Sequence, residues 1–166
     1  MRKAYVTGAG GVVGSHFVEY LKRNGYEVVG SYFTPTTDIA EIDPSIKLFE
    51  LDVRDHAKMM DWIGEYLPDV IYHFAAQSRP VPSWDDPYYT MEVNVGGTVG
   101  LLEAVKAARA AHPGYDPKVI AISSSAIYGD ALKNYTVDNL PDETCPLLPL
   151  HPYGVSKAAE DLLCYQ

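Results

Sequence analysis

Apolar residues in this chain fall into short runs separated by stretches with a helical repeat. Ala4-Tyr5-Val6 predicts a strand, glycines follow at once, and Val13, Phe17, Val18 and Leu21 then recur at the spacing of one helix face. Gly25 reads as the stop of that helix, and Val28-Val29 open a second strand that finishes near Tyr32. After a Thr/Pro-rich loop, Thr34 to Thr37, the run Ile46 to Leu51 predicts a third strand. Asp55 is placed to cap a helix running to about Leu67, before Pro68, and Val70 to Phe74 predicts the fourth strand. A polar stretch, Gln77 to Tyr89, leads into a long helix whose apolar positions Val95, Val99, Leu102 and Val105 fall on one face. His112-Pro113-Gly114 ends it, and Val119 to Ile122 predicts a fifth strand. Ser124 to His151, rich in Pro, Asp and Asn, reads mostly as loop, with a last helix from near Pro152.

Strands that alternate with helices need right-handed crossovers and build an α/β fold: a doubly wound parallel sheet of about five strands, most simply ordered 3-2-1-4-5. The chain stops at Gln166 inside an apolar-periodic helix with no stop signal, so the expectation is a chain cut short.

Length and composition narrow the partners. With 166 residues, 47% hydrophobic, the chain can fill one sizeable core. Thirteen basic against 22 acidic residues leave a net charge of -9, which argues against nucleic acid and anionic membrane surfaces. A nucleotide ligand is still compatible, because helix N-termini bind phosphate through backbone N–H groups. Cys145 and Cys164 belong to no CxxC or Cys/His cluster, so reduced thiols, no metal site and a cytoplasmic location are expected. No run resembles a signal peptide or a membrane span.

Thr7-Gly8-Ala9-Gly10-Gly11-Val12-Val13-Gly14 sets Gly8, Gly11 and Gly14 at GxxGxxG spacing between a strand and a helix. The tighter GxGxxG form fails at Val13. One glycine serves a positive-φ turn, one the close approach of a pyrophosphate and one helix–strand packing, which predicts dinucleotide binding. At the end of the second strand, Gly30-Ser31-Tyr32-Phe33-Thr34 offers neither a carboxylate for a ribose 2′-hydroxyl nor an arginine for a 2′-phosphate. NAD and NADP both stay open. Asp52 is placed either to accept from an adenine amino group or to cap its own turn.

Tyr153-Gly154-Val155-Ser156-Lys157 puts a phenol and an ammonium four residues apart on one helix face. A neighbouring cation favours the phenolate, which makes a tyrosine useful in proton transfer near neutral pH. Taken alone, such a pair is mostly an exposed helix contact. Ser123-Ser124-Ser125, however, closes the fifth strand, and ligands of such sheets bind at the strands' carboxyl ends.

Together these residues resemble the extended branch of the short-chain dehydrogenase/reductase family. The likeness is carried by TGAGGVVG, HFAAQ at 73–77, Asn94, SSSAIYG at 123–129 and PYGVSK at 152–157, in that order over nearly the whole chain. It implies that residues 1–166 are a single NAD(P)-binding Rossmann domain lacking the later part that binds substrate. It further implies Tyr153 as general acid/base, with Lys157 lowering its pKa and holding the nicotinamide ribose. Ser124 would orient the substrate hydroxyl or carbonyl, with Ser125 as fallback, and Asn94 would lie near the lysine. The cofactor would lie along Gly8, Gly10, Gly11, Val12, Val13, Gly14, Tyr32, Asp52, Val53, Ala75, Ala76 and Gln77.

Segments AAQSRP (75–80), SWDDP (83–87) and 94–105 are similar to enzymes acting on GDP-mannose and related nucleotide sugars. A 4,6-dehydratase carries a carboxylate just after its Ser/Thr, where this chain has Ala126, so epimerisation or 4-keto reduction is favoured over dehydration. The non-enzymatic alternative is a nucleotide-binding module. A homodimer would pair the helix near 92–111 with the one after Tyr153. His56, His73, His112, His151, Trp84 and Tyr88-Tyr89 are expected to pack rather than bind, and Arg79 to be an exposed arginine rather than a phosphate ligand.

Overall fold

The computed structural model describes residues 1–165. Five strands, β1 (Lys3–Thr7), β2 (Glu27–Tyr32), β3 (Lys47–Glu50), β4 (Val70–His73) and β5 (Lys118–Ala121), form one sheet in the order β3-β2-β1-β4-β5. Every pairing is parallel, with Tyr5 opposite Val29 on one side and Ile71 on the other. This is the doubly wound order expected from the alternation of strands and helices.

Strand pleating divides the core. Ala4, Val6 and Val28 face α1 (Val12–Arg23), meeting Val18 and Leu21. Tyr5 and Ile71 face the opposite layer, where α2 (His56–Tyr66) contributes Met59 and Ile63 and α5 (Gly97–Ala111) contributes Leu101 and Ala104. Asp55 caps α2 as expected, its Oδ1 accepting from Lys58 N at 3.1 Å.

Two helical faces differ from their apolar repeat. In α1 the periodic Val13 is 62% exposed, because the first turn of the helix borders a cleft instead of the core. In α5 the predicted stripe holds only in part: Val105 is buried, but Val99 is exposed and Leu102 half-buried, and the buried face runs instead through Gly97, Gly100, Leu101, Ala104 and Ala108. A single π-type turn, Glu92–Gly96, precedes α5. Small residues then bring the helix close: a Cβ on Gly97 would lie 2.8 Å from Val53 Cγ2, and one on Gly100 2.5 Å from His56 Cδ2.

The polar stretch before that turn is also more regular than its composition suggests. It holds α3 (Pro80–Asp85) and α4 (Pro87–Met91), each begun by a proline, which loses nothing at a first helical position. Residues 124–151 are irregular apart from short 3₁₀ turns at Ser125–Ile127 and Gly129–Asn134, and lead into α6 (Pro152–Tyr165).

Candidate functional site

The carboxyl ends of β1, β4 and β5 and the first turn of α1 surround a cleft of about 490 Å³. Its floor is the glycine turn. Gly8 has φ +71°, and a Cβ there would lie 2.7 Å from Ala75 N; a Cβ on Gly14 would run into the Gly8 carbonyl oxygen. Both glycines are therefore obligatory for how closely β1, α1 and the exit of β4 approach. Gly11 caps α1 without any side-chain partner, which leaves the helix N-terminus open to an anion.

Thr7 ties the floor together. Its Oγ1 accepts from Ala75 N at 3.1 Å and pairs with His73 Nδ1 at 2.8 Å. Burial, together with the Lys157 charge, pushes His73 down to about 3, so this imidazole is neutral at physiological pH and belongs to the scaffold. The side wall is the loop after β2, held over the turn by Thr36 N and Thr37 N, which donate to Gly10 O at 2.9 and 3.2 Å.

At the other end lie Tyr153 and Lys157. Ser83 Oγ accepts from Tyr153 N at 3.0 Å, and His151 Nδ1 accepts from Gly154 N at 2.9 Å, so two side chains from outside the helix fix its first turn. The His151 ring stacks on Tyr153, centroids 5.9 Å apart. Lys157 Nζ donates to Ile122 O at 2.9 Å and to Glu160 Oε2 at 2.8 Å. Glu160 is 2% exposed, and burial pushes its carboxyl up to about 7 despite the opposing pull of the lysine.

Of the residues singled out from the sequence, Gly8, Gly10, Gly11, Val12, Val13, Gly14, Tyr32, Asp52, Val53, Ala75, Ala76, Tyr153 and Lys157 all line this cleft. Three do not. Gln77 turns its amide to Thr90 Oγ1 and Arg79 O. Asn94 is fully buried; it accepts from Gln77 N at 2.7 Å and donates to Gln77 O and to Ser156 Oγ, so it braces the helix that carries Lys157 without touching the ammonium. Ser124 Oγ accepts from Ala126 N at 3.2 Å, just outside the lining, while Ser123 lines the cleft with its own Oγ buried.

Asp52 caps its turn, accepting from Arg54 N and Nε, and it borders the cleft as well. The Arg54 hydrogen bonds hold its carboxyl below the usual carboxylate range. Trp84 and Tyr88, expected to pack, are 64% and 83% exposed, because α3 and α4 present those faces to solvent. Arg79 is exposed, as expected, and its position also borders the cleft. Periodicity gives no sign of Phe33, Thr34 and Thr36 in the lining, which the loop after β2 brings there, whereas Ile122 arrives with the carboxyl end of β5; for Glu160 a spacing of three from Lys157 is the available signal.

Comparison with known proteins places this arrangement. Over residues 5–166 the chain matches the profile of the family described as GDP-mannose 4,6 dehydratase. It is 34% identical to a GDP-mannose 4,6-dehydratase of Yersinia enterocolitica, over 95% of this chain and 43% of that protein. It is 35% identical to a putative UDP-glucose 4-epimerase of Methanocaldococcus jannaschii, over 92% of this chain and 46% of that protein. The UDP-glucose 4-epimerase of Thermus thermophilus, solved as a complex with NAD, superposes with a TM-score of 0.83 at 32% identity, covering 98% of this chain and 50% of that one. The chain thus spans about half the length, or less, of the proteins it matches. Its matched span and its sheet order make it a member of the GDP-mannose 4,6 dehydratase family.

Proposed function

We propose that this chain is the NAD(P)-binding and catalytic part of an enzyme that epimerises or reduces a nucleotide-activated sugar. The observation that carries this reading is one continuous cleft with an unblocked helix N-terminus and glycine floor at one end and Tyr153 with Lys157 at the other. The floor suits a pyrophosphate, since a side chain at Gly8 or Gly14 would collide with backbone. NAD(P), when bound, supplies hydride exchange with a sugar carbon.

The chain's own residues handle the proton. Tyr153 gives or takes it at the sugar oxygen, and the Lys157 ammonium favours the phenolate during that exchange. Ser124 keeps its hydroxyl hydrogen, because its oxygen is the acceptor in the Ala126 contact, and donates it to the sugar oxygen. Asn94 and Ser83 hold the helix in register. Around the ribose position Tyr32, Phe33 and Thr34 carry no charge, which admits NAD or NADP.

Dehydration is the second reading, supported by the family description and by the names of several relatives. Ala126 supplies no acid for the loss of a hydroxyl, and this favours epimerisation or reduction. We place the enzyme in the cytoplasm, consistent with free Cys145 and Cys164; no helix among the described residues is long and apolar enough to cross a membrane. Two copies would pair through α5 and α6, whose exposed Val99, Val155 and Leu162 offer apolar contact. Titration with NAD(H) and NADP(H) tests the core of this reading: saturable binding of either pair supports it, and no binding of either overturns it.

A further inference from the structure

Lys157 is held from two sides before any ligand is considered. An ammonium has three N–H donors. One goes to Ile122 O at 2.9 Å and one to Glu160 Oε2 at 2.8 Å, and the lysine also lines the cleft. The Lys157 and Glu160 side chains are 6% and 2% exposed, so this is a buried pair rather than a surface contact. Glu160 Oε1 has no hydrogen-bond partner among the described residues, although a buried carboxylate oxygen ordinarily requires one. A stabilising ion pair would satisfy both oxygens. This one satisfies only the oxygen aimed at the lysine.

We propose that Glu160 is a positioning residue that holds Lys157 with its third N–H toward the cleft, and that its negative charge offsets the lysine beside an oxidised nicotinamide. The inference rests on the cofactor reading above and deepens it. With Glu160 ionised the pair is neutral; with Glu160 protonated it is a cation. Oxidised nicotinamide is itself cationic and the reduced ring is neutral, so the state of Glu160 discriminates between the two forms. Burial places the change between those states near pH 7. Lys157 is the charge that acts on Glu160; His73 on β4 is neutral, and on α6 Cys164 has its thiol pushed up by burial and by Glu160 and Asp161.

The test is fluorescence titration with NAD⁺ and NADH, or with the phosphorylated pair if that is the one bound, on wild type and Glu160→Gln. Glutamine keeps the shape and an acceptor for Lys157. We expect E160Q to weaken the oxidised form about fivefold and the reduced form less than about twofold, the size of one charge felt across several ångströms of protein. In wild type the same ratio should appear on moving from about pH 8.5 to about pH 6, and E160Q should lose that dependence. A purely structural role would weaken both forms equally, and that outcome overturns the proposal, as does an unchanged ratio. If E160Q does not fold, the wild-type pH comparison decides alone. His151 is the imidazole beside Tyr153, so H151Q should retain the pH dependence; its loss there assigns the effect to His151 and refutes the proposal. Wild type binding neither form overturns the cofactor reading itself.

Discussion

Asn94 Nδ2 lies 2.8 Å from Ser156 Oγ and so joins positions 62 residues apart. Ser156 Oγ in turn donates to Tyr153 O at 2.8 Å, while Asn94 Nδ2 also donates to Gln77 O and Asn94 Oδ1 accepts from Gln77 N. One side chain thus fastens the loop after β4 to the π-type turn and to α6. Asn94→Ala leaves these buried groups without partners and should cost about 3 kcal/mol, read as a lower urea midpoint at constant m-value. Asn94→Asp should be worse, since it keeps only the contact with Gln77 N and buries a charge. An aspartate variant as stable as wild type would show that Asn94 is not the brace described.

How much of this was legible beforehand differs by residue. The sheet order and the glycine turn follow from local patterns, since strand alternation and a positive-φ glycine are properties of neighbours in the chain. The spacing of Tyr153 and Lys157 is legible as one helix face, and both line the cleft. The α5 face is legible only in part: Val105 is buried as the repeat predicts, but the closest packing runs through Gly97, Gly100 and Ala104, small residues that carry little hydrophobic signal. Asn94 was placed near the lysine, but its actual partners are backbone and serine groups fixed only by tertiary packing. The cleft wall at Phe33, Thr34 and Thr36 has no periodic signal at all, because a loop folded over Gly10 brings it there.

Two glycines separate close approach from backbone conformation. Gly25 has φ +81° with nothing within 4 Å of an added Cβ, so Gly25→Ala should cost about 1 kcal/mol from strain alone and leave cofactor affinity unchanged. A Cβ on Gly14 meets the Gly8 carbonyl, and relief requires the turn itself to move. Gly14→Ala should therefore abolish saturable dinucleotide binding. Thermal melts and the same titrations on both variants check this, and equal affinity in the two would refute the role assigned to the turn.

On the proposed reading, kinetics separate Tyr153 as proton-transfer group from its neighbours. Tyr153→Phe removes only the hydroxyl and should lower kcat by at least about 10²-fold with dissociation constants for cofactor within about threefold. Ser124→Ala should also reduce kcat, whereas Ser123→Ala, whose Oγ is already buried, should affect stability more than turnover. Turnover of a nucleotide sugar by the phenylalanine variant at the wild-type rate would remove Tyr153 from the mechanism.

Acid stability exposes two buried groups that oppose one another. His73 is pushed from 6.5 to about 3 in the folded chain, so below pH 6.5 the unfolded state binds a proton that the folded state does not, and stability falls as pH falls. Glu160 is pushed from 4.5 to about 7, so between those values the folded state holds a proton that the unfolded state has lost, and stability rises as pH falls. Each contributes a slope of up to about 1.4 kcal/mol per pH unit, with opposite sign. Wild type should accordingly be nearly flat between pH 6.5 and 4.5. Glu160→Gln leaves the histidine alone and should lose about 3 kcal/mol across that interval, while His73→Phe leaves the glutamate alone and should gain stability on acidification from pH 7. Urea melts at half-unit steps measure both slopes. If the two variants slope the same way, the protonation states assigned beneath the site are wrong.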